Sequence, residues 1–300
     1  MRWLIFIFSS LLLVQCSRHE KKSGALVFQS DFGLKDGAVS AMKGVAFEVS
    51  PRLKMYDLTH EIPAYNIWEA SYRLYQTAPY WPAGTVFVSV VDPGVGSSRK
   101  SVVLHTKSDH FFVTPDNGTL TLIAEQLGIE EVREIDEAKN RRKNSGESYT
   151  FHGRDVYAYT GARLAAGVIR FEEVGPVLPA EIVKISYQKP AYDRGEIKGN
   201  IPVLDIQYGN IWTNIDQETF KKLATKIDEN LHIKIFHKDS LVFEENVPYV
   251  KTFSGVPIDH DMAYLNSLLC FSLGTNQNNF SIKHRIQSGP DWSVTIRKSN

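Results

Sequence analysis

The chain has 300 residues, 43% hydrophobic and 23% charged, and its 34 basic and 34 acidic side chains cancel to a formal net charge of zero. That describes a globular protein with a real core, built as one large domain or two ordinary ones. The missing basic excess argues against a nucleic-acid partner. The two cysteines, Cys16 and Cys270, exclude a disulfide framework, and neither sits in a Cys-x-x-Cys metal cluster.

Met1-Arg2 followed by the apolar run Trp3 to Val14 reads as a signal-peptide core, too short to span a bilayer comfortably. It ends at Gln15-Cys16, which suggests a lipoprotein cleaved before Cys16 and lipidated there, although the residue before such a cysteine is usually small. Export with membrane anchoring through Cys16 is the expectation; other secretion, an uncleaved anchor and a cytoplasmic protein are the alternatives. Residues 1–16 are then the signal segment and 17–24 a tether. From 25 to 190, β-rich and helical runs alternate, which predicts an α/β domain with a mostly parallel sheet and flanking helices. Helices are predicted over Asp36 to Val49, with Val39, Met42, Val45, Ala46 and Val49 on one face, and over Ile67 to Ala78, Thr119 to Leu127 and Asp155 to Ala166. Glu137 to Ser148 is polar and basic and reads as a surface loop. From 191 to 300 short strand candidates follow with little helix: Gly195 to Asp205, Leu231 to His237, Ser240 to Phe243 and Trp292 to Arg297. A smaller, β-rich, barrel-like domain is expected there. Cys270 lies in an apolar run and reads as a small buried hydrophobe.

Several strands run straight into an acid: Asp31-Phe-Gly33, Asp92-Pro-Gly-Val-Gly96, Asp116-Asn-Gly118 and, after Pro202-Val-Leu, Asp205. Open α/β sheets bind ligands outside the carboxyl ends of their strands. The expectation is one polar site assembled from these four segments. Asp31 fits a ribose diol or, more plainly, a turn before a helix. Asp92 and Arg99 flank a glycine loop that lets a ligand approach the backbone; the plainer reading is a structural ion pair. Gly94-Val-Gly96 lacks the third glycine of a dinucleotide fingerprint. His152 in Phe151-His-Gly-Arg-Asp155 is a candidate for proton transfer. His60 is a site residue or a loop histidine satisfied by backbone. There is no Gly-x-Ser-x-Gly elbow, and no His-x-x-x-His pair, so no metal is expected.

These stretches, with Met42-Lys-Gly44, Asp57-Leu-Thr-His-Glu-Ile-Pro63, Pro82-Ala-Gly-Thr85 and Asp205-Ile-Gln-Tyr-Gly-Asn210 with Thr213-Asn214, run in one order from Leu26 to about Asn279. Together they resemble the S-adenosylmethionine (SAM) hydroxide adenosyltransferases, or SAM hydrolases, relatives of the SAM-dependent fluorinase and chlorinase. The resemblance implies an α/β domain, a smaller β-rich domain and a homotrimer with sites between subunits. It implies attack of water at C5′ of SAM to give adenosine and methionine, with SAM as substrate and no cofactor. It assigns catalysis to Asp92, Arg99 and His152, the ribose to Asp31, the methionine amino group to Asp205, adenine to Asn210 and a further ligand contact to Ser267. The halogenase branch has an uncharged residue in place of Asp92 and a Tyr-Ser pair in place of His152-Gly153; the fluorinase also carries a longer loop after Arg99. The C-terminal motif departs from the family pattern: Leu269 stands where a glycine is usual and Ser272 where an acid is. A non-catalytic nucleoside-binding lipoprotein is the alternative from another class, but it has no need of Asp92, Arg99 and His152 together. A SAM-dependent halogenase is the lesser alternative.

Overall fold

The computed structural model describes residues 24–299. Cys16, the signal segment and nearly all of the tether lie outside the described residues.

The first half is a seven-stranded sheet in the order β2-β1-β3-β5-β4-β6-β7. Its strands are β1 (Ala25–Ser30), β2 (Lys54–Thr59), β3 (Val86–Val90), β4 (Ser101–Thr106), β5 (Phe111–Pro115), β6 (Ile129–Glu134) and β7 (Val177–Leu178). The pairs β1–β2, β1–β3 and β3–β5 are parallel, while β4–β5, β4–β6 and β6–β7 are antiparallel. Strand β6 is therefore turned back into the direction of β5, and only β4 and β7 run the other way. The central strands are buried on both faces, so they read as mostly apolar runs with no polar alternation. Alternation along β1 sends Leu26 and Phe28 into one core layer and Val27 into the other. Each such side chain contributes roughly 1.5–3 kcal/mol of burial.

On the first face lie α1 (Ala38–Val49), which buries Val39, Met42, Val45 and Ala46, and α5 (Tyr159–Ala165). On the second lie α2 (Ile67–Thr77), capped by the Asn66 side chain, and α3 (Thr121–Leu127). Helix α5 packs close because residue 161 is glycine: a Cβ there would sit 2.4 Å from Val88 Cγ2. Between β6 and α5 comes the single turn α4 (Glu137–Asn140). The loop expected at 137–148 is thus partly helical, and its Asn140 is buried.

The second half holds two antiparallel sheets with one shared core. One, β13-β12-β16-β9-β8, comprises β8 (Ala191–Asp193), β9 (Glu196–Asn200), β12 (Asn230–His237), β13 (Ser240–Pro248) and β16 (Trp292–Lys298). The other, β10-β11-β15-β14, comprises β10 (Val203–Leu204), β11 (Ile211–Asp216), β14 (Asp261–Leu265) and β15 (Cys270–Thr275). Ile197, Ile233 and Ile296 of the first meet Ile211, Phe271 and Leu273 of the second. The halves are clamped where α2 meets β10: Trp68 Nε1 donates to the Pro202 carbonyl at 2.9 Å, and Arg73 Nη2 to that of Leu204 at 3.3 Å.

Candidate active site

Because β1 and β3 are parallel neighbours, their carboxyl ends deliver Asp31 and Asp92 to the same edge. Both line a cavity of about 230 Å³ with Phe32, Tyr65, Phe151 and His152. Asp92 is gripped by Arg99: Nε lies 3.0 Å from Oδ1, and Nη2 bonds Oδ2. Such a fork fixes the plane of the carboxylate as well as its place. Arg99 Nη1 reaches Ser101 Oγ at 3.0 Å, which in turn meets the Tyr157 hydroxyl at 3.1 Å. Tyr157 is fully buried, and its hydroxyl points at Asp92 Oδ2 from 3.5 Å. Burial works against the charge on Arg99, but its Asp92 bond and the charges around it outweigh burial and hold the guanidinium protonated. Burial first, then the charge of Asp92, pushes the Tyr157 hydroxyl far up, so it acts only as a neutral donor.

His152 follows the 137–150 segment and begins a wide π-turn, Gly153–Ala158, that leads into α5. Turns of this kind are frequent at functional sites. Residue 153 has little room for a side chain: a Cβ would lie 3.1 Å from Val90 Cγ1 and 3.2 Å from Phe32. The His152 ring is buried; its Nε2 accepts from Arg141 Nη2 at 3.1 Å and lies 3.7 Å from Glu137 Oε1. Its Nδ1 is buried without a hydrogen-bond partner among the described residues. Burial holds the imidazole below its ordinary value of 6.5; Glu137 and Asp92 act upward, Arg99 and Arg141 downward.

Asp205, Asn210 and Ser267 lie together in a second cavity, of about 890 Å³, on the C-terminal half. The loop between β10 and β11 is a tight turn: Gly209 N donates to the Asp205 carbonyl at 2.6 Å, and Asn210 Nδ2 to Asp205 Oδ2 at 3.1 Å. Tyr208, Trp212 and Tyr264 supply aromatic wall. Asn266 Oδ1 accepts from the backbone of Leu268 and Cys270, while its buried Nδ2 has no partner among the described residues. This same turn holds Leu269 at φ +58. That backbone explains the glycine expected there, because a Cβ in the left-handed region crowds the carbonyl.

Within one chain the four acids therefore do not share a site. Asp116, at the end of β5, turns its Oδ1 to the Val183 N–H at 2.9 Å and does not line the Asp31 cavity. Asp205 follows β10 of a separate antiparallel sheet, and among the described residues none lines both cavities. His60 is satisfied by side chains and not by the backbone of the plainer reading: Ser30 Oγ holds Nδ1 (2.6 Å) and Asp57 holds Nε2 (3.0 Å), with Lys43 Nζ behind Asp57. The order Ser-His-Asp suggests a nucleophile relay, but Ser30 is fully buried and lies outside the cavity that its neighbour Asp31 lines. Arg154 pairs with the buried carboxylate of Asp155 at 2.7 and 2.8 Å. Sequence reasoning missed Tyr65, Tyr157, Glu137 and Arg141. Tyr65 holds φ +68 and donates its N–H to Asp31 Oδ2 at 2.9 Å. No local pattern marks it; the Glu137–Arg141 spacing of four residues was visible but reads equally as a surface helix pair.

Residues 26–175 match the SAM hydroxide adenosyltransferase N-terminal domain and 199–293 the C-terminal domain of the same family. An (R)-S-adenosyl-L-methionine hydrolase from Methanocaldococcus jannaschii is 38% identical over 234 residues, covering 76% of this chain and 80% of that protein. A fluorinase from an Actinoplanes species is 26% identical over 299 residues, covering 91% and 97%. The crystal structure of an uncharacterized conserved protein from Thermotoga maritima superposes with a TM-score of 0.83 at 33% identity, covering 91% of this chain and all of that one. With both halves matched in order over the three sheets just described, the chain belongs to the SAM hydroxide adenosyltransferase family.

Proposed function

We propose that this protein hydrolyses SAM to adenosine and L-methionine, with water as the nucleophile at C5′. The observation that carries the reading is the cavity that joins Asp31, Asp92 and His152, with Arg99 forked onto Asp92 behind it. A sulfonium leaves readily, so the enzyme's task is to aim a poor nucleophile and relieve it of a proton. Positioning supplies several kcal/mol of that barrier, and a placed proton acceptor about 10²–10⁴-fold. Water's O–H bond breaks toward Asp92 as its oxygen bonds C5′. The C5′–S pair returns to sulfur, leaving methionine and, after proton release, the starting enzyme. Asp31 holds the ribose. Asp205, Asn210 and Ser267 hold the methionine and adenine ends. No cofactor enters this scheme. A halide needs no proton acceptor, and a carboxylate in the cavity wall repels one, so Asp92 favours water over chloride or fluoride.

Size supports a shared site. The Asp31 cavity, about 230 Å³, falls below the roughly 300–1,000 Å³ of ordinary ligand pockets. The second group of ligand residues faces a different cavity on the same chain. A homotrimer in which one copy's Asp31 cavity faces its neighbour's Asn210 cavity unites them. The same reading has the mature chain exported and tethered to a membrane through lipidated Cys16, on the strength of the Trp3 to Val14 run.

The test uses protein starting after Cys16, incubated with SAM in chloride buffer, with the products separated by chromatography. Adenosine and methionine, lost in His152→Ala, are expected. A 5′-chloronucleoside would move the chain to halogenation. Saturable binding without turnover would leave a nucleoside-binding lipoprotein.

A further inference from the structure

The segment between β6 and the π-turn, polar and basic in sequence, reaches the catalytic histidine from behind. Its first turn, α4, is anchored by Asn140, whose Nδ2 donates to the Glu173 and Val174 carbonyls at 3.1 and 2.8 Å. Arg163 Nη1 donates to Asn140 Oδ1 at 2.6 Å, and Thr160 Oγ1 to the Asn140 carbonyl at 3.0 Å. From this fixed turn Glu137 Oε2 accepts from Arg141 Nε at 3.1 Å and Nη2 at 2.7 Å. The guanidinium lies 4.7 Å over the Tyr149 ring and is 9% exposed. Its Nη2 has a second hydrogen, and that one meets His152 Nε2 at 3.1 Å.

Arginine has five N–H donors, no acceptor, and does not deprotonate in proteins. The Arg141–His152 contact is a hydrogen bond only if Nε2 accepts. A neutral imidazole that accepts at Nε2 carries its hydrogen on Nδ1. We propose that Arg141, locked by Glu137, is a positioning residue that fixes His152 as the Nδ1–H tautomer, so that His152 donates to the nucleophile and Asp92 takes its proton. The Nδ1 atom is buried and has no partner among the described residues, so its hydrogen is left for the reacting oxygen. Asp92 retains room for that role: its two oxygens offer about four acceptor positions, against donors from Arg99 Nε, Arg99 Nη2 and the Tyr157 hydroxyl. A donor aimed at the oxygen stabilises the hydroxide character that develops as the proton leaves.

The charged and titratable groups around the ring are Glu137 and Arg141 from the α4 side, Asp92 and Arg99 from the loop after β3, and the rings of Tyr149 and Tyr157 at 6.0 and 6.5 Å. Two of them pull in opposite senses. Removing Arg141 takes away a charge that disfavours imidazolium; removing the charge of Glu137 takes away one that favours it.

The catalytic meaning of this tautomer rests on the hydrolase reading, but the tautomer itself is measured without substrate. Protein with ¹⁵N-labelled histidine, starting after Cys16, is titrated by NMR alongside SAM turnover. Wild type is expected to show Nδ1–H with Nε2 bare. Arg141→Ala should shift the hydrogen to Nε2, which then faces Glu137, raise the acid limb of the turnover profile, and lower turnover by about 10–100-fold. Arg141→Lys, which still donates, should restore the wild-type tautomer, and it serves if the alanine variant unfolds. Glu137→Gln should keep Nδ1–H and move the acid limb down. An Nε2–H signature in wild type, or an unchanged tautomer and profile in Arg141→Ala, overturns the proposal. Wild type that shows Nδ1–H but leaves SAM intact retires the hydrolase reading and leaves the tautomer assignment standing.

Discussion

The two cavities are built in opposite ways. Around Asp92 every strong group is braced by another: Arg99 by Asp92 and Ser101, Tyr157 by Ser101, and His152 by Arg141 and Glu137. The cavity is small, and its Asp92 carboxylate is paired with Arg99. Around Asn210 the wall is aromatic and amide, the space is nearly four times larger (about 890 against 230 Å³), and a turn at its rim holds a leucine in a glycine's conformation. The first construction suits chemistry, where a carboxylate must not wander. The second suits recognition of a flat, neutral ring system, where shape and a few amide hydrogen bonds suffice.

The comparison breaks most sharply at Asp92. Asp92→Ala should reduce adenosine release by about 10³-fold at saturating SAM, within the range for a lost proton acceptor. Undiminished turnover would remove Asp92 from the mechanism. Asn210→Ala should act on the other axis. Its expected cost is about 1–3 kcal/mol in substrate binding, seen as a raised KM with kcat little changed. A kcat loss without a KM change would mean that the recognition half also does chemistry.

Acid should affect the braced half more. His152 and His60 both have their rings held below the ordinary 6.5, burial being the first cause for each. In the unfolded chain these rings take up protons near 6.5, while in the folded protein they resist until lower pH. The unfolded state then binds more protons, so stability rises with pH across that window. Their contribution is present in full above about 6.5 and is lost as pH falls from there toward the folded values. Urea denaturation from pH 7.5 to 5 should show the decline, and His152→Gln should flatten it in part. A flat wild-type profile would contradict buried neutral rings. The smallest effect belongs to the rim turn: Leu269→Gly should stabilise the protein by about 0.5–1 kcal/mol by relieving left-handed strain, net of glycine's entropy. A lower denaturation midpoint would show that the half-exposed leucine side chain earns its place by packing.

Much of this was legible in the chain. Mostly apolar runs announced the central strands, and the apolar spacing of Val39, Met42, Val45 and Ala46 announced α1, because burial on two faces and on one face leave different periods. Asp31, Asp92, Arg99 and His152 stood out as polar groups at strand ends or beside glycine. The braces did not. Arg141 and Glu137 sit in a segment whose composition is that of any solvated loop, and only the fold shows that Asn140 pins it down. Tyr157 lies in a helix where an aromatic reads as core, which it also is. The division of the acids between two cavities was hidden as well, since strand pairing between distant segments decides it and each strand end looks alike in isolation. Leu269 is the reverse case: the sequence marked it as a departure, and the backbone shows what it departs from.

That no described residue is common to the two cavities has a genetic consequence. If copies of the chain complete one another's sites, a defect in Asp92 and a defect in Asn210 lie on opposite sides of each junction. Mixed assemblies of two inactive alleles then contain some junctions that receive both intact sides, and a cell carrying both alleles regains activity that neither gives alone.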